Sequence, residues 1–530
     1  MQASAFPQID YTSCDKEPIH IPGATQPHGV LLIVESPGGP ILQAAGPHTL
    51  LRCDTQSVLG KALAEVLGSR AEELLQTAAG LIDKAPVYVG SLSLPGAERD
   101  VDLLAHEVDG RLVVELESRD APMPAAGSIL AAGRRAAARI AGQTTVEATC
   151  NAVVQEVRAL VGYDRVMVYR FLNDASGSVV AEARADSAKS YLNHRFPASD
   201  IPSQARELYV RNLARVIPDV GYVPQPLLGV AGDEIVLDMS NCLLRSISPI
   251  HIQYLKNMGV GASASFSVVK DGALWGLIAC HHPARRLVPW EIRETCGYLA
   301  QSLSYQLRAQ GAADRHSRLS ASSRRRETLL AKLNGSLDVD TALIDHRSQL
   351  RQLIDCDGAA VVSGSTVKTL GSVPPAQELE ALIDWLVHTG EEHCFSTRKL
   401  GQAFPGARNF QSPIKGMLAA VVDADRRVLV IWFRVEQIET VEWAGNPHKQ
   451  DSSDPTVPLS PRHSFETWTE KVSGSSTEWQ MEEIEAAEAF QAGLRELRQR
   501  RQLADLNMQL ELALAAERKA RAELQRLQAG

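Results

Sequence analysis

Apolar and polar positions along this chain repeat one device three times: two strand-like apolar runs joined by a short polar turn. VDLLAHEV and RLVVELE flank Asp109-Gly110, a dipeptide suited to the type I′ turn of a tight hairpin. SASFSVV and ALWGLIACHH flank Lys270-Asp271-Gly272, and GMLAAVV and RRVLVIWF flank a turn around Asp423-Ala424-Asp425. Mixed helical and strand periodicity precedes each hairpin, so the pattern predicts three α+β domains in series, each with an antiparallel sheet. Identity among the three is low, which makes this a shared architecture and not a short-period repeat.

The segments between the hairpins carry their own patterns. Residues 119–134 leave the first sheet through Pro and Gly and enter an Ala-rich helix. From Pro289 to about Gly335 the chain reads as one long polar helix, with Leu299, Leu303 and Leu307 on one face. Such a helix between two sheets would be a coupling spine, and its Arg324–Arg326 cluster reads first as a solvated face. From about Glu478 the pattern is helical again. Leu503, Leu506, Leu510, Ala513, Glu517, Ala520, Leu524 and Leu527 fall on alternating spacings of three and four, the seam of a dimerising coil. Glu517 weakens that seam, and the run reaches Gly530 without a cap signal, as though the chain continued. Residues 435–470 are rich in Pro, Ser and Asp yet hold Trp443, Phe465 and Trp468, which suits a functional flap with buried anchors better than a linker.

Composition narrows the function classes. The chain has 530 residues, 45% hydrophobic and 22% charged, as folded domains are. Its net charge of −9 argues against broad nucleic-acid binding. No apolar run approaches the roughly 18 residues of a membrane span, and the start lacks the features of a secretory signal. A cytoplasmic location is therefore expected. Eight scattered cysteines with no CxxC pair suggest neither a disulfide framework nor a zinc finger. Phosphate-loop, zinc-protease, nucleophile-elbow and kinase catalytic motifs are all missing from the sequence, so this chain is not expected to be an enzyme. Cys280-His281-His282 are adjacent on a strand, where neighbours face opposite sides and do not converge on one ion.

The densest chemistry lies in the middle domain. In FPASDIPSQARELYVRN (196–212), prolines on either side of Asp200-Ile201 fix a rigid turn before a helix, beside Phe196 and Tyr209. Arg206, Arg211 and Arg215 follow at helical spacing. LLRSISPIHIQYLKNMGVGASAS (243–265) adds Arg245, Ser246, Ser248, His251, Tyr254, Ser263 and Ser265. Two Arg-bearing segments with several hydroxyls read as a clamp for a ligand carrying carboxylates.

Six segments, in order along the chain, resemble a known family. CDKEPIHIPGATQPHG (14–29), DRVMVYRF (164–171), FPASDIP (196–202), RSISPIHIQYLKNMGV (245–260), LWGLIACHH (274–282) and PRHSF (461–465) are similar to the bacteriophytochromes. The resemblance implies a PAS–GAF–PHY photosensory module that binds biliverdin IXα, a covalent linear tetrapyrrole. It implies attachment at Cys14, since Ile250 stands where plant and many cyanobacterial relatives carry their attachment cysteine. It implies that the main-chain carbonyl of Asp200 accepts from pyrrole N–H groups, with Ile201, Pro202 and Tyr209 beside it. His251 would tune ring protonation. Arg215 and Arg245, with Ser248, Ser263 and Ser265, would hold the two propionates. Tyr169, Phe196 and Tyr254 would wall the rotating D-ring, whose carbonyl His281 would bind. Residues about 435–472 would be the PHY tongue: Arg462 pairs with Asp200 in one state, Ser464 replaces it in the other, and Trp443 and Trp468 are swapped anchors. The N-terminal segment and the 216–243 insertion resemble the threaded parts of the family's knot.

The expected organisation is an N-terminal segment and PAS domain over 1–124, a GAF domain over 125–310, a PHY domain over 311–500 and a signalling coil over 501–530. The expected function is red/far-red photoreception by isomerisation of the biliverdin C15=C16 bond. The signal would pass to an absent output module, a histidine kinase with a response regulator as partner. A homodimer through the GAF and PHY helices and the terminal coil is expected, with neither nucleic acid nor membrane as partner, and no metal. The alternatives are a light-independent PAS/GAF sensor of haem or a cyclic nucleotide, and a Cys–His hydrolase using Cys14 or Cys280.

Overall fold

The three hairpins form where the turns lie. The computed structural model describes residues 17–94, 100–119, 125–231, 235–336, 338–388, 394–447, 462 and 464–528. Strands Asp100–Val108 and Arg111–Ser118 are joined by Asp109 (φ 50°) and Gly110 (φ 75°), both left-handed as a type I′ turn requires. Strands Ala262–Lys270 and Ala273–His282 are joined the same way by Asp271 (φ 53°) and Gly272 (φ 79°), with Lys270 still in its strand. The third turn lies later than the sequence pattern places it. Asp423 ends one strand, Val428 starts the next, and Arg427 takes the left-handed position (φ 51°).

The chain packs as two units, residues 1–310 with 441–470, and residues 311–440 with 471–530. The first unit holds two large sheets and a two-stranded one. In the N-terminal sheet the order is Leu228–Gly229, Ile41–Ala45, Gly29–Val34, Arg111–Ser118, Asp100–Val108 and Val87–Ser93. Both faces are covered. Val30, Leu32, Leu103 and Val114 pack against the helices Leu63–Leu67 and Ser69–Thr77. Leu31, Ile33 and Val113 pack against Leu237, Met239, Cys242 and Leu244. Residues 20–26 are bracketed by partners between 216 and 246, a crossing segment that also supplies this second layer. Ala24–Thr25 pairs with Gln225–Pro226, Thr25 bridges to Arg245, and Gln26 donates from its main chain to Leu244 O and from its side chain to Val216 O.

In the second sheet the order is Ala214–Ile217, Ala262–Lys270, Ala273–His282, Arg165–Phe171, Gly177–Arg184, Arg195–Phe196, Glu439–Ala444 and Thr467–Val472. Its central strands alternate between faces. Val166, Val168, Ile278 and Cys280 meet the helix Val146–Val161 and Leu299, Leu303 and Leu307 of the 45-residue helix Trp290–Asn334. Met167, Tyr169, Leu277 and Ala279 face the other way, towards Tyr191, Phe196 and Phe465. The helical spacing read for Arg206, Arg211 and Arg215 is corrected here. Helix Ser203–Arg211 carries only the first two, and Arg215 sits on strand Ala214–Ile217, because Asn212 turns extended and ends the helix.

The second unit is a five-stranded sheet, in the order Thr366–Gly371, Gly358–Ser363, Val428–Val435, Ile414–Asp423 and Cys394–Thr397. Trp432 and Leu418 face Phe490 and Leu494 of helix Met481–Gln528, while Phe433 and Met417 face Leu382 and Leu386 of helix Ala376–His388. The buried Trp432 indole donates to Leu350 O at 3.0 Å, so its one polar atom is satisfied. Beyond Arg501 the described side chains of the terminal helix are exposed. Leu503, Leu506, Leu510 and Leu524 of the heptad seam are 55–61% exposed.

Candidate functional site

The face of the second sheet that carries Met167 and Tyr169 forms the floor of two adjoining cavities. Asp200, Ile201, Tyr209, Arg215, His251 and Tyr254 line both. Pro202, Arg245, Ser248 and Arg462 line only the first, together with Glu17 and Ile19. Tyr169, Phe196, Ser263, Ser265 and His281 line only the second, together with Met167, Met258 and Leu277. All fourteen ligand-binding positions named from the sequence thus meet around one site. Cys14 lies outside the described residues.

Local sequence explains how each wall is held. Pro197 and Pro202 have φ near −68° and −66°, and between them Ala198–Asp200 closes one 3₁₀ turn with Asp200 N donating to Pro197 O. Ser248 caps helix Pro249–Asn257, accepting from Ile250 N at 3.3 Å, while Pro249 fills the first helical position. Three residues apart on that helix, His251 and Tyr254 stack at 6.0 Å with an interplanar angle of 11°. Gly177 makes room for the Tyr169 ring, since a Cβ there would lie 1.9 Å from its Cζ. Strand alternation sends Cys280 into the helix-side core and His281 into the cavity.

Electrostatically, the site combines two guanidinium groups with a mostly apolar wall. Burial pushes Arg245 down to about 9, with Arg215 beside it adding to the fall, and lowers Arg215 too. Arg215 donates to Cys242 O and Leu243 O at 3.1 Å and also to Arg245 O. Its two terminal nitrogens therefore hold the 242–245 segment, a task the sequence did not announce. Arg245 donates to Ile19 O. The Nε atoms of both arginines and Nδ1 of His281 are buried with no hydrogen-bond partner among the described residues. Burial also pushes His251 down to about 4 and His281 to about 3, so both imidazoles are neutral near pH 7. Glu17 lines the cavity beside these groups. Its carboxyl is raised by burial, against the opposing pull of the Ser248 hydroxyl that donates to it at 2.6 Å.

The flap segment closes on Asp200. Tyr254 donates its hydroxyl to Asp200 Oδ2 at 3.1 Å, and Arg462 Nη2 lies 3.6 Å from Asp200 Oδ1. Phe465 packs edge-on against Tyr254 at 5.1 Å. Trp443 lies opposite Arg195 in a parallel pairing and donates to Glu470 at 2.8 Å. Ser464 is exposed, and Trp468 is half-buried on strand Thr467–Val472.

One further buried polar group escaped the sequence reading. His106, Glu115 and Cys242 cluster beneath the crossing segment. Nδ1 of His106 lies 3.6 Å from Glu115 Oε1, and Nε2 lies 3.6 Å from Cys242 Sγ. The imidazole bridges its partners from opposite ring edges, which does not suit chelation of one ion. Spacings of 9 and 136 residues give no sequence signal for it.

Comparison with known proteins gives a consistent family. Residues 14–119 match the PAS fold, 145–310 the GAF domain and 322–502 the phytochrome region. Cyanobacterial phytochrome B of Nostoc sp. is 34% identical over 515 residues, covering 95% of this chain and 68% of that protein. A bacteriophytochrome of Pseudomonas aeruginosa is 34% identical over 494 residues, covering 92% and 67%. Among solved structures, the photosensory core module of a Stigmatella aurantiaca phytochrome superposes with a TM-score of 0.78 at 37% identity, covering 92% of this chain and 98% of that one. A bacteriophytochrome from R. palustris gives 0.79 at 34% identity, covering 91% and 98%.

Proposed function

This chain belongs to the phytochrome family of red/far-red photoreceptors, and from that premise we propose that its central pocket holds biliverdin IXα, bound covalently through Cys14. The carrying observation is the pair of buried guanidinium groups with unpartnered Nε atoms in a mostly apolar, aromatic-walled cavity. Burying two positive charges is costly unless anionic groups meet them, and the two carboxylates of such a tetrapyrrole fit that need. When bound, the tetrapyrrole supplies red absorption and one isomerisable double bond.

The protein's part is orientation, exclusion of water and proton holding. Arg215, Arg245, Ser248, Ser263 and Ser265 are the groups that would hold carboxylates. His251, kept neutral by burial, offers one ring N–H and one ring acceptor, so it can hold a proton without adding a charge. His281 Nδ1 is an unpartnered polar atom opposite the aromatic wall of Tyr169, Phe196 and Tyr254, and suits a carbonyl or N–H of the ligand. Asp200, held by Tyr254 and faced by Arg462, joins the pocket to the flap. Trp443, Ser464 and Trp468 are proposed as the flap positions that change partners between states.

A homodimer through the long helices and the terminal coil is part of the reading, supported by exposed Leu503, Leu506 and Leu510 and by exposed Tyr298 and Tyr305 on the 45-residue helix. The signal would leave towards an output module, a histidine kinase acting with a response regulator, with no catalytic step on this chain. Among the described residues no helix is long and apolar enough to cross a membrane.

Co-expression with a biliverdin source tests the reading. Absorbance should interconvert reversibly under red and far-red light, and Cys14→Ser should leave no pigment on the denatured chain. Absence of photoconversion, or pigment still attached after Cys14→Ser, overturns it. Arg462→Ala and Asp200→Ala should keep the pigment attached and change the thermal relaxation rate by about fivefold or more, the effect of roughly 1 kcal/mol. An unchanged rate in both would remove the flap contact from the mechanism.

A further inference from the structure

We propose that Lys189, His194 and Asn257 are positioning residues that latch the flap onto the pocket wall and make its docking depend on the flap's backbone geometry. The consequence for signalling rests on the photoreceptor reading; the latch itself rests on the contacts alone.

Lys189 Nζ donates to Phe465 O at 2.7 Å, and Asn257 Nδ2 donates to Arg462 O at 2.9 Å. Both acceptors are main-chain carbonyls. A bond to a carbonyl is indifferent to the side chain that follows it but is lost when the local backbone rotates. The third bond joins His194 Nε2 to Thr467 Oγ1 at 2.9 Å, while Nδ1 faces Leu192 O at 3.1 Å. With Nδ1–H donating to that carbonyl, Nε2 is left to accept the threonine hydroxyl. The three bonds fall at flap positions 462, 465 and 467, on both sides of the exposed Ser464.

Lys189 is itself held in place. Arg165 Nη2 donates to Lys189 O at 2.5 Å, and Glu182 accepts from Ser190 Oγ and Tyr191 N at 2.5 and 3.0 Å. The Lys189 loop is thus tied to the sheet.

Two of the three latch residues also sit beside a pocket wall in sequence. His194 is two residues before Phe196, and Asn257 is three after Tyr254 on the same helix. A displacement of either aromatic wall therefore moves a flap-binding side chain with it. This gives the pocket two mechanical routes to the flap in addition to the Asp200–Arg462 contact. None of the three residues lines either of the two site cavities.

The test is hydrogen exchange of the amides at 464–470 in the full chain, with and without bound pigment, for Lys189→Ala with Asn257→Asp. Exchange there should rise about tenfold, while the strand Ala262–Lys270 stays unchanged and the pigment stays attached. Lys189→Arg alone should remain within about twofold of the unaltered chain, because the donor is kept. The double variant should also change thermal relaxation of the photoproduct at an unaltered absorption maximum. Unchanged exchange at 464–470, or a rise spread equally over strand Ala262–Lys270, overturns the latch. The exchange arm needs no photochemistry. If the unaltered chain fails to photoconvert, the photoreceptor reading falls and the latch is still decided. If it photoconverts normally and exchange is unmoved, only the latch falls.

Discussion

Replacing Arg293 with alanine is expected to destabilise the first unit by about 3–5 kcal/mol, the cost of stranding a buried charge. Arg293 and Glu117 are 2% and 3% exposed. The guanidinium donates Nη1 to Glu117 Oε1 at 3.0 Å and Nη2 to the other oxygen, a bidentate fork between the long helix and the N-terminal sheet. Alanine leaves the Glu117 carboxylate desolvated, with His28 Nε2 at 3.9 Å. Denaturant dependence of amide exchange in strand Arg111–Ser118 reads the loss. Arg293→Met combined with Glu117→Leu should recover most of it, because the pair's mutual attraction does little more than offset its desolvation. A cost below about 1 kcal/mol for Arg293→Ala would mean that water reaches the carboxylate and that no buried charge is stranded.

The second large effect concerns His106 and Glu115, and the unaltered chain hides it. Burial pushes His106 from an ordinary 6.5 down to about 4. Burial raises Glu115 from 4.5 to about 7, against main-chain donors from Leu243 and Leu244 at 3.0 and 2.7 Å. Between pH 4.5 and 6.5 the unfolded chain carries one proton on histidine, and the folded pair carries one on glutamate. Equal proton counts mean no slope of stability with pH from this pair. Each single variant exposes its partner. His106→Gln leaves Glu115, whose raised value gives stability present below pH 4.5 and lost as pH rises through about 7. Glu115→Gln leaves His106, whose lowered value gives stability present above pH 6.5 and lost as pH falls through about 4. Relative to the unaltered chain, the two slopes are therefore opposite in sign and reach about 1.4 kcal/mol per pH unit. Urea midpoints at pH 5, 6 and 7 measure them. Slopes of the same sign, or two flat profiles, would refute the pairing. Taking the difference from the unaltered chain removes the contributions of His251, His281 and Cys242.

These two clusters mark the limit of what the sequence reveals. Asp109-Gly110 and Asp271-Gly272 announce their hairpins because only a few residue types tolerate two consecutive left-handed positions. The third turn is misplaced by a few residues because Asp423, Ala424 and Asp425 carry no such demand, and the left-handed residue proves to be Arg427. Arg215 looks helical because its spacing continues that of Arg206 and Arg211, yet spacing says nothing of where Asn212 ends the helix. Pocket residues 196–202 and 245–265 are legible because proline turns and grouped arginines are unusual locally. Asp102, His106, Glu115 and Glu117 are not, since charged residues alternating in a strand read as a solvent face. They are buried because the 235–244 segment and the long helix cover that face from far along the chain. Lys189 and Asn257 were missed for the same reason: their partners lie 276 and 205 residues away.

The bracketing of residues 20–26 by the crossing segment also sets a schedule for synthesis. Ala24, Thr25 and Gln26 are 2%, 0% and 1% exposed in the finished fold, and their partners lie at 216–246, roughly 200 residues later. At ~5–20 residues per second, a ribosome makes that stretch in roughly 10–40 s. For that interval strand Gly29–Val34, buried at every position in the end, has only one of its two covering layers available. The yield of folded receptor should therefore follow elongation rate and chaperone supply more closely than its equilibrium stability does.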